Sequence, residues 1–135
     1  MKIQKPSFIY IDGASKGNPG PSGIGILIDD GSSIREYSFY IGTRTNNETE
    51  YIALITALEK ALSLGLKNIK LFSDSELLVN QMNGKYKIKS KNIIQLAIKA
   101  QELKRRFESI EIVQISRELN KKANALAQMA AKAFQ

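Results

Sequence analysis

The hydrophobic period of this chain changes once, and that change restricts the fold more than any other feature. Through residue 42, apolar residues come in short runs and alternations of period two: PSFIYID (6–12), GIGILIDD (23–30) and IREYSFYIG (34–42). Bounded by Gly, Pro and Asp, these runs predict three strands joined by turns. From Asn47 the spacing becomes helical. Tyr51, Leu54, Ile55, Leu58, Ala61 and Leu62 recur at steps of three and four, and Gly65 is a stop signal. The two periods then alternate. NIKLFSD (68–74) predicts a buried strand, SELLVNQMNG (75–84) a short helix, 91–107 a long amphipathic helix and IEIVQIS (110–116) a last strand. LNKKANALAQMAAKAF (119–134) predicts an alanine-rich closing helix with Asn120 as N-cap. An antiparallel meander followed by alternating helices and strands is an α/β chain with a mixed sheet. Right-handed crossovers set its later strands parallel to the first.

Glycines 23 and 25 alternate with Ile24 and Ile26, which leaves one face of the second strand almost bare of side chains. The 135 residues, 43% apolar and 24% charged, read as one soluble globular domain, 1–135, with no repeat or linker. No apolar run approaches the roughly 18–20 residues of a membrane span. The opening MKIQKPS lacks the apolar stretch of a secretory signal, so the expected setting is cytoplasmic.

Composition narrows the chemistry. Without cysteine there is no disulfide or thiolate, and without histidine the usual near-neutral base and zinc ligand are gone. Any reaction must run on carboxylates, amides, hydroxyls or a metal held by oxygen. Three acids fall where such a site is expected. Asp12 ends the first strand and Asp74 the next strand of the parallel part, at the carboxyl ends where open α/β sheets bind ligands. Glu50 lies in the first turn of the first helix, on its inward-leaning stripe with Leu54 and Ala57. Each acid also has a plain role: Asp12 as turn former before Gly13, Glu50 as partner of the helix dipole, Asp74 as helix N-cap. Together they repel unless a cation neutralises them, and oxygen ligands suit Mg²⁺ or Mn²⁺. The net charge of +7, from 20 Lys and Arg against 13 Asp and Glu, points to a polyanionic partner.

Four blocks carry a resemblance over nearly the whole chain: IDGASKGNPGPSGIGILI, TNNETEYIALITALEKAL, LFSDSELLVNQMNGKYKIK and SRELNKKANALAQMA. In this order the sequence resembles type 1 ribonuclease H, in particular its short archaeal and plant-like members. The resemblance implies a ribonuclease H-like α/β fold, a five-stranded mixed sheet in order 3-2-1-4-5 flanked by helices, the first three strands antiparallel. It also implies endonucleolytic cleavage of the RNA strand of RNA–DNA hybrids by two Mg²⁺ ions, with Mn²⁺ as substitute, leaving 5′-phosphate ends. Asp12, Glu50 and Asp74 match the family's first three metal-binding acids, and Glu48 reads as a surface residue. The fourth block departs from the pattern: RELNKKANALA has Asn124 where the family has Asp. That exchange removes a charge, is nearly isosteric, and is of the kind one would engineer to trap an uncleaved substrate. Glu118 is the nearest other acid. The alternative function is an inactive module of the same fold, binding hybrid or double-stranded RNA.

By the same resemblance, Gly17, Asn18, Asn46, Asn47 and Glu76 lie along the minor groove of the hybrid, and Thr45 reaches a DNA phosphate. Helix capping is a compatible role for Thr45, Asn46 and Asn47. Lys85, Lys87, Lys89 and Lys91 either grip phosphate or form a solvated loop. A monomer without a membrane partner is expected.

Overall fold

A computed structural model describes residues 5–133. Its elements are β1 (Ser7–Ser15), β2 (Gly20–Asp29), β3 (Ile34–Arg44), α1 (Asn46–Ser63), β4 (Asn68–Ser73), α2 (Glu76–Met82), α3 (Lys91–Lys104), β5 (Ser109–Gln114), a 3₁₀ turn (Arg117–Asn120) and α4 (Lys121–Lys132). Phe134, included above in the closing helix, and the first four residues of MKIQKPS lie outside the described residues.

The strands form one sheet in the expected order, β3-β2-β1-β4-β5. β1 pairs antiparallel with β2 and β2 with β3; β1–β4 and β4–β5 are parallel. The bare face of β2 explains where α4 lies. A Cβ on Gly23 or Gly25 would collide with the α4 backbone around Ala123, Ala127 and Ala131, so only glycine against an alanine-rich helix allows this approach. On the opposite face, Ile24, Ile26 and Ile28 join Ile9, Ile11, Ile69 and Leu71 beneath Tyr51, Leu54 and Leu58 of α1. Burying each of these large side chains contributes about 1.5–3 kcal/mol. Successive strand residues face opposite ways. Accordingly Gly13 abuts Thr49 of α1 while Asp12 touches Asn124 of α4, and the two helices sandwich β1.

The helix ends follow local chemistry. Thr45 caps α1 by accepting from the Glu48 N–H, and the Glu48 carboxylate accepts from the Thr45 N–H. Glu48 is thus half of a capping box rather than a free surface residue. Gly65 and Gly84, at φ of +75° and +77°, end the segments whose stops they predicted. Among the described residues no helix is long and apolar enough to cross a membrane.

One irregularity of the sheet matters most. The parallel ladder between β1 and β4 runs only from Ser7↔Ile69 to Tyr10↔Phe72, whereas β1 stays paired with β2 as far as Ser15↔Ser22. Beyond Tyr10 the middle of the sheet is therefore a fork, open on the side that β4 has left.

Candidate active site

Asp12 stands at this fork. It does not end its strand, nor does Asp12-Gly13 make a turn: Asp12 sits inside β1 opposite Gly25. What stops at this level is the pairing with β4. Alternate residues of a strand direct their N–H and C=O to the same side. The Gly13 N–H points into the fork and is taken by Glu50 Oε1 at 3.0 Å. The carbonyl of Ile11, two residues earlier, is taken by Asn120 Nδ2 at 2.8 Å. Two side chains thus replace the partner strand on either side of Asp12. Asn120 begins α4 as expected, but its side chain makes no cap hydrogen bond, being committed to β1.

Glu50 is the fifth residue of α1, in its second turn, and the acid that faces the helix dipole is Glu48. Asp74 follows β4 directly. It is not the N-cap of α2; that position belongs to Ser75, whose Oγ accepts from the Leu78 N–H at 3.2 Å. Capping therefore does not account for either acid. One oxygen each from Asp12, Glu50 and Asp74 lie within 4.8 Å of one another. The amide of Asn124, one helical turn beyond Asn120, closes the fourth side and donates from Nδ2 to Asp12 Oδ2 at 2.7 Å. Glu118 is exposed on the 3₁₀ turn, outside the cluster.

The electrostatics of the cluster are unfavourable as it stands. Asp12 is 4% exposed. Burial raises its carboxyl above the ordinary range, against the Asn124 hydrogen bond and with the help of the Asp74 charge. Burial and then the Asp12 charge push Glu50 well above its usual range. Glu50 Oε2 is buried with no hydrogen-bond partner, and the ion pairs of the described residues include none of the three acids. A set of oxygen donors holding an orphaned carboxylate oxygen suits a hard divalent cation, which would remove the repulsion and occupy the lone pairs.

The remaining sequence-predicted residues divide into groups. Asn18, on the loop that starts at Gly17 (φ +123°), accepts from the Asn46 N–H at 2.9 Å, tying the loop to the start of α1. Asn18, Thr45, Asn46 and Asn47 line a cleft of about 410 Å³ together with Ser90 and Asn92. Sequence reasoning missed Ser90 and Asn92; the only signal was a serine before a helix, which reads as a cap. Lys87 and Lys89 line a neighbouring cleft with Asn47 and Gln81, while Lys85 is exposed on the same connection. Glu76 is not drawn into the acid cluster: its Oε1 accepts from the Tyr86 hydroxyl at 2.8 Å and so holds the lysine connection.

Residues 10–130 match the family described as reverse transcriptase-like. Ribonuclease HI of Halobacterium salinarum is 39% identical over 120 residues, 87% of this chain and 60% of that protein. A bifunctional protein of Mycobacterium tuberculosis is 38% identical over 122 residues, 88% of this chain and 34% of its own length. The chain thus spans 60% of the first of these curated relatives and about a third of the second. Among solved structures, the halobacterial RNase H1 superposes with a TM-score of 0.89 at 38% identity, over 93% of this chain and 97% of that one. LC11-RNase H1, isolated from compost by a metagenomic approach and solved in complex with RNA/DNA hybrid, gives 0.88 at 39% identity, over 96% and 99%. A forked sheet with three acids at the fork, matched in sequence and in fold along almost its whole length, places the chain in the ribonuclease H family, among the short type 1 members.

Proposed function

We propose that this chain is an endoribonuclease that hydrolyses the RNA strand of RNA–DNA hybrids by two-metal-ion catalysis, held back in this chain by Asn124. The observation that carries the reading is the convergence of Asp12, Glu50 and Asp74 oxygens within 4.8 Å. Clustered acids, one of them buried and two half-buried, weaken a fold, and a bound cation gives them a reason to be together. Two divalent ions, Mg²⁺ with Mn²⁺ as substitute, supply an activated water and stabilise the leaving 3′-oxygen when bound with substrate.

The chain's own residues hold that arrangement. Asp12, Glu50 and Asp74 would hold the ions through their clustered oxygens, with residue 124 as the fourth ligand beside Asp12. Glu50 is oriented by the Gly13 N–H, which leaves Oε2 available. Asn124 offers an oxygen without charge, and its Nδ2 occupies an Asp12 oxygen in the meantime. The products carry 5′-phosphate and 3′-hydroxyl ends.

The hybrid lies with its minor groove along Gly17, Asn18, Asn46 and Asn47, where 2′-hydroxyls distinguish RNA from DNA. Thr45 meets a DNA phosphate, Lys85 and Lys87 meet flanking phosphates, and Glu76 acts at one remove by holding Tyr86. The relative solved with RNA/DNA hybrid supports this substrate class. Residues 1–135 act as one ribonuclease H domain, as a monomer.

The second reading, a catalytically silent module for hybrid or double-stranded RNA, is favoured by the Asn124–Asp12 hydrogen bond, which takes up an oxygen a metal would need. Cleavage of a labelled hybrid by the chain and by Asn124→Asp, in Mg²⁺ and in Mn²⁺, separates the two. Restoring the charge that helps hold an ion is expected to raise the rate on the order of 10²-fold, because a bound ion stabilises the charge of the transition state by several kcal/mol. Equal, metal-dependent rates remove position 124 from the machinery, and no divalent-dependent cutting by either protein leaves the binding module. Duplex RNA and duplex DNA run beside the hybrid test the substrate class.

A further inference from the structure

We infer that Asn120 is a positioning residue for the metal site: its amide fixes the backbone of Asp12 and the distance from Asp12 to residue 124. The inference rests on the metal-dependent reading above and concerns a residue outside the acid cluster.

Three observations support it. First, Asn120 Nδ2 donates to the Ile11 carbonyl at 2.8 Å, at the level where β4 no longer offers a strand partner. Without this donor, the carbonyl immediately before Asp12 would be buried and unsatisfied, and the strand free to shift into the fork. Glu50 does the corresponding work on the other side of Asp12 by accepting from the Gly13 N–H. Asp12 is therefore clamped from both sides, by Asn120 from the α4 layer and by Glu50 from the α1 layer.

Second, Asn120 and Asn124 are four residues apart at the start of α4 and so lie one above the other on the same helix face. The contact that locks Asn120 to Ile11 also sets the height of residue 124 above Asp12, where its Nδ2 reaches Oδ2 at 2.7 Å. One side chain thus fixes both ends of the Asp12–124 gap.

Third, Asn120 is 1% exposed and its Oδ1 is buried without a partner. The amide cannot turn to relieve this, because reversal would set Oδ1 against the Ile11 carbonyl. An aliphatic side chain would fill the space without an orphaned oxygen. The chain keeps a poorly satisfied amide at this point, which is understandable if the single donated bond matters more than the packing.

The test compares Mn²⁺ binding, read by electron paramagnetic resonance of the free ion, for the chain, Asn120→Ala, Asn120→Ser and Ile28→Val, all well below their melting temperatures. Ile28 is a fully buried residue of β2 outside the metal cluster, and its truncation serves as a stability control. Hybrid affinity in EDTA, read by fluorescence anisotropy, accompanies each measurement. The expected result is Mn²⁺ affinity at least tenfold weaker in Asn120→Ala, partly recovered by the hydroxyl donor of Asn120→Ser, and unchanged in Ile28→Val. Hybrid affinity in EDTA is expected to stay within twofold throughout. Unchanged Mn²⁺ affinity in Asn120→Ala and Asn120→Ser would overturn the role of Asn120 alone. Equal weakening in Ile28→Val would reduce that role to general stability. Failure of the unsubstituted chain to bind Mn²⁺ would overturn the metal reading itself, and this inference with it.

Discussion

Replacing Glu50 by Gln is expected to make the metal-free protein more stable while destroying its response to metal. The size of the effect follows from the site. At the 4.8 Å limit of the cluster, two unit charges repel by about 3.5 kcal/mol at an effective dielectric near 20. Proton uptake by the raised carboxyls relieves part of that. Glutamine keeps the acceptor for the Gly13 N–H and puts an amide donor where Oε2 is orphaned. The expected gain in EDTA is about 1–3 kcal/mol, the cost of a buried unsatisfied polar group. That corresponds to a rise of about 1 M in the urea midpoint for a slope near 2 kcal/mol/M. The pH dependence has a definite sign. Glu50 titrates above its ordinary 4.5 in the fold, so its penalty is absent below that value, sets in as pH rises from there and is complete above the folded value. The glutamine advantage is therefore present near pH 8 and gone near pH 4. Saturating Mg²⁺ reverses the order, because a ligand at about 100 times its Kd stabilises the unsubstituted chain by about 2.7 kcal/mol. A Gln variant that is less stable in EDTA near pH 8, or an advantage independent of pH, would refute the reasoning.

Further outcomes follow from other parts of the molecule. Gly25→Ala is expected to cost about 1–3 kcal/mol in urea unfolding, since its Cβ would press into the α4 backbone at Ala123 and Ala127. Unchanged stability would mean that α4 does not pack closely on β2. Burial pushes the Tyr51 phenol up to about 12. Its neutral form therefore contributes fully below the unfolded value of 10.0 and is lost as pH rises from there through about 12, which ultraviolet titration follows. Tyr51→Phe removes that late step and, by losing the hydrogen bond to Gln81, costs about 0.5–1.5 kcal/mol. If Lys85 and Lys87 contact phosphate, changing each to Ala lowers the slope of log affinity for hybrid against log salt by about 1; an unchanged slope identifies a solvated loop.

The sequence exposed the elements through their periods, and the cause lies in burial. Ile24, Ile26 and Ile28 face a core, whereas Gly23 and Gly25 must admit a helix, so the alternation is visible without coordinates. Strand order was legible through the resemblance, and the three acids already through their places after two parallel strands and on the inward stripe of the first helix. The errors lie where tertiary pairing decides. Asp12-Gly13 has the local chemistry of a turn, yet pairing with Gly25 and Ile24 carries β1 straight through it. Asn120 has the chemistry of a cap, yet a carbonyl 109 residues away holds its side chain. Ser90 and Asn92 enter the asparagine cleft only because α3 begins beside α1, which no local pattern encodes.

The fork explains why the site lies where the ladder between β1 and β4 ends. Where β4 leaves β1, backbone groups lose their ladder partners and must be met by side chains, here Glu50 for an N–H and Asn120 for a carbonyl. A carboxylate used in this way has a second oxygen left over, and in Glu50 that oxygen is buried without a hydrogen-bond partner. Asp12 and Asp74 border the same gap, so completing the strand's hydrogen bonds gathers charge that a cation can then neutralise. Residue 124 tips this balance. As asparagine it donates to Asp12 and eases the repulsion without metal; as aspartate it would add a fourth charge, making the empty site costlier and the filled site tighter. The identity of a single atom at position 124, nitrogen or oxygen, thus trades stability of the metal-free fold against affinity for the ions that the proposed hydrolysis requires.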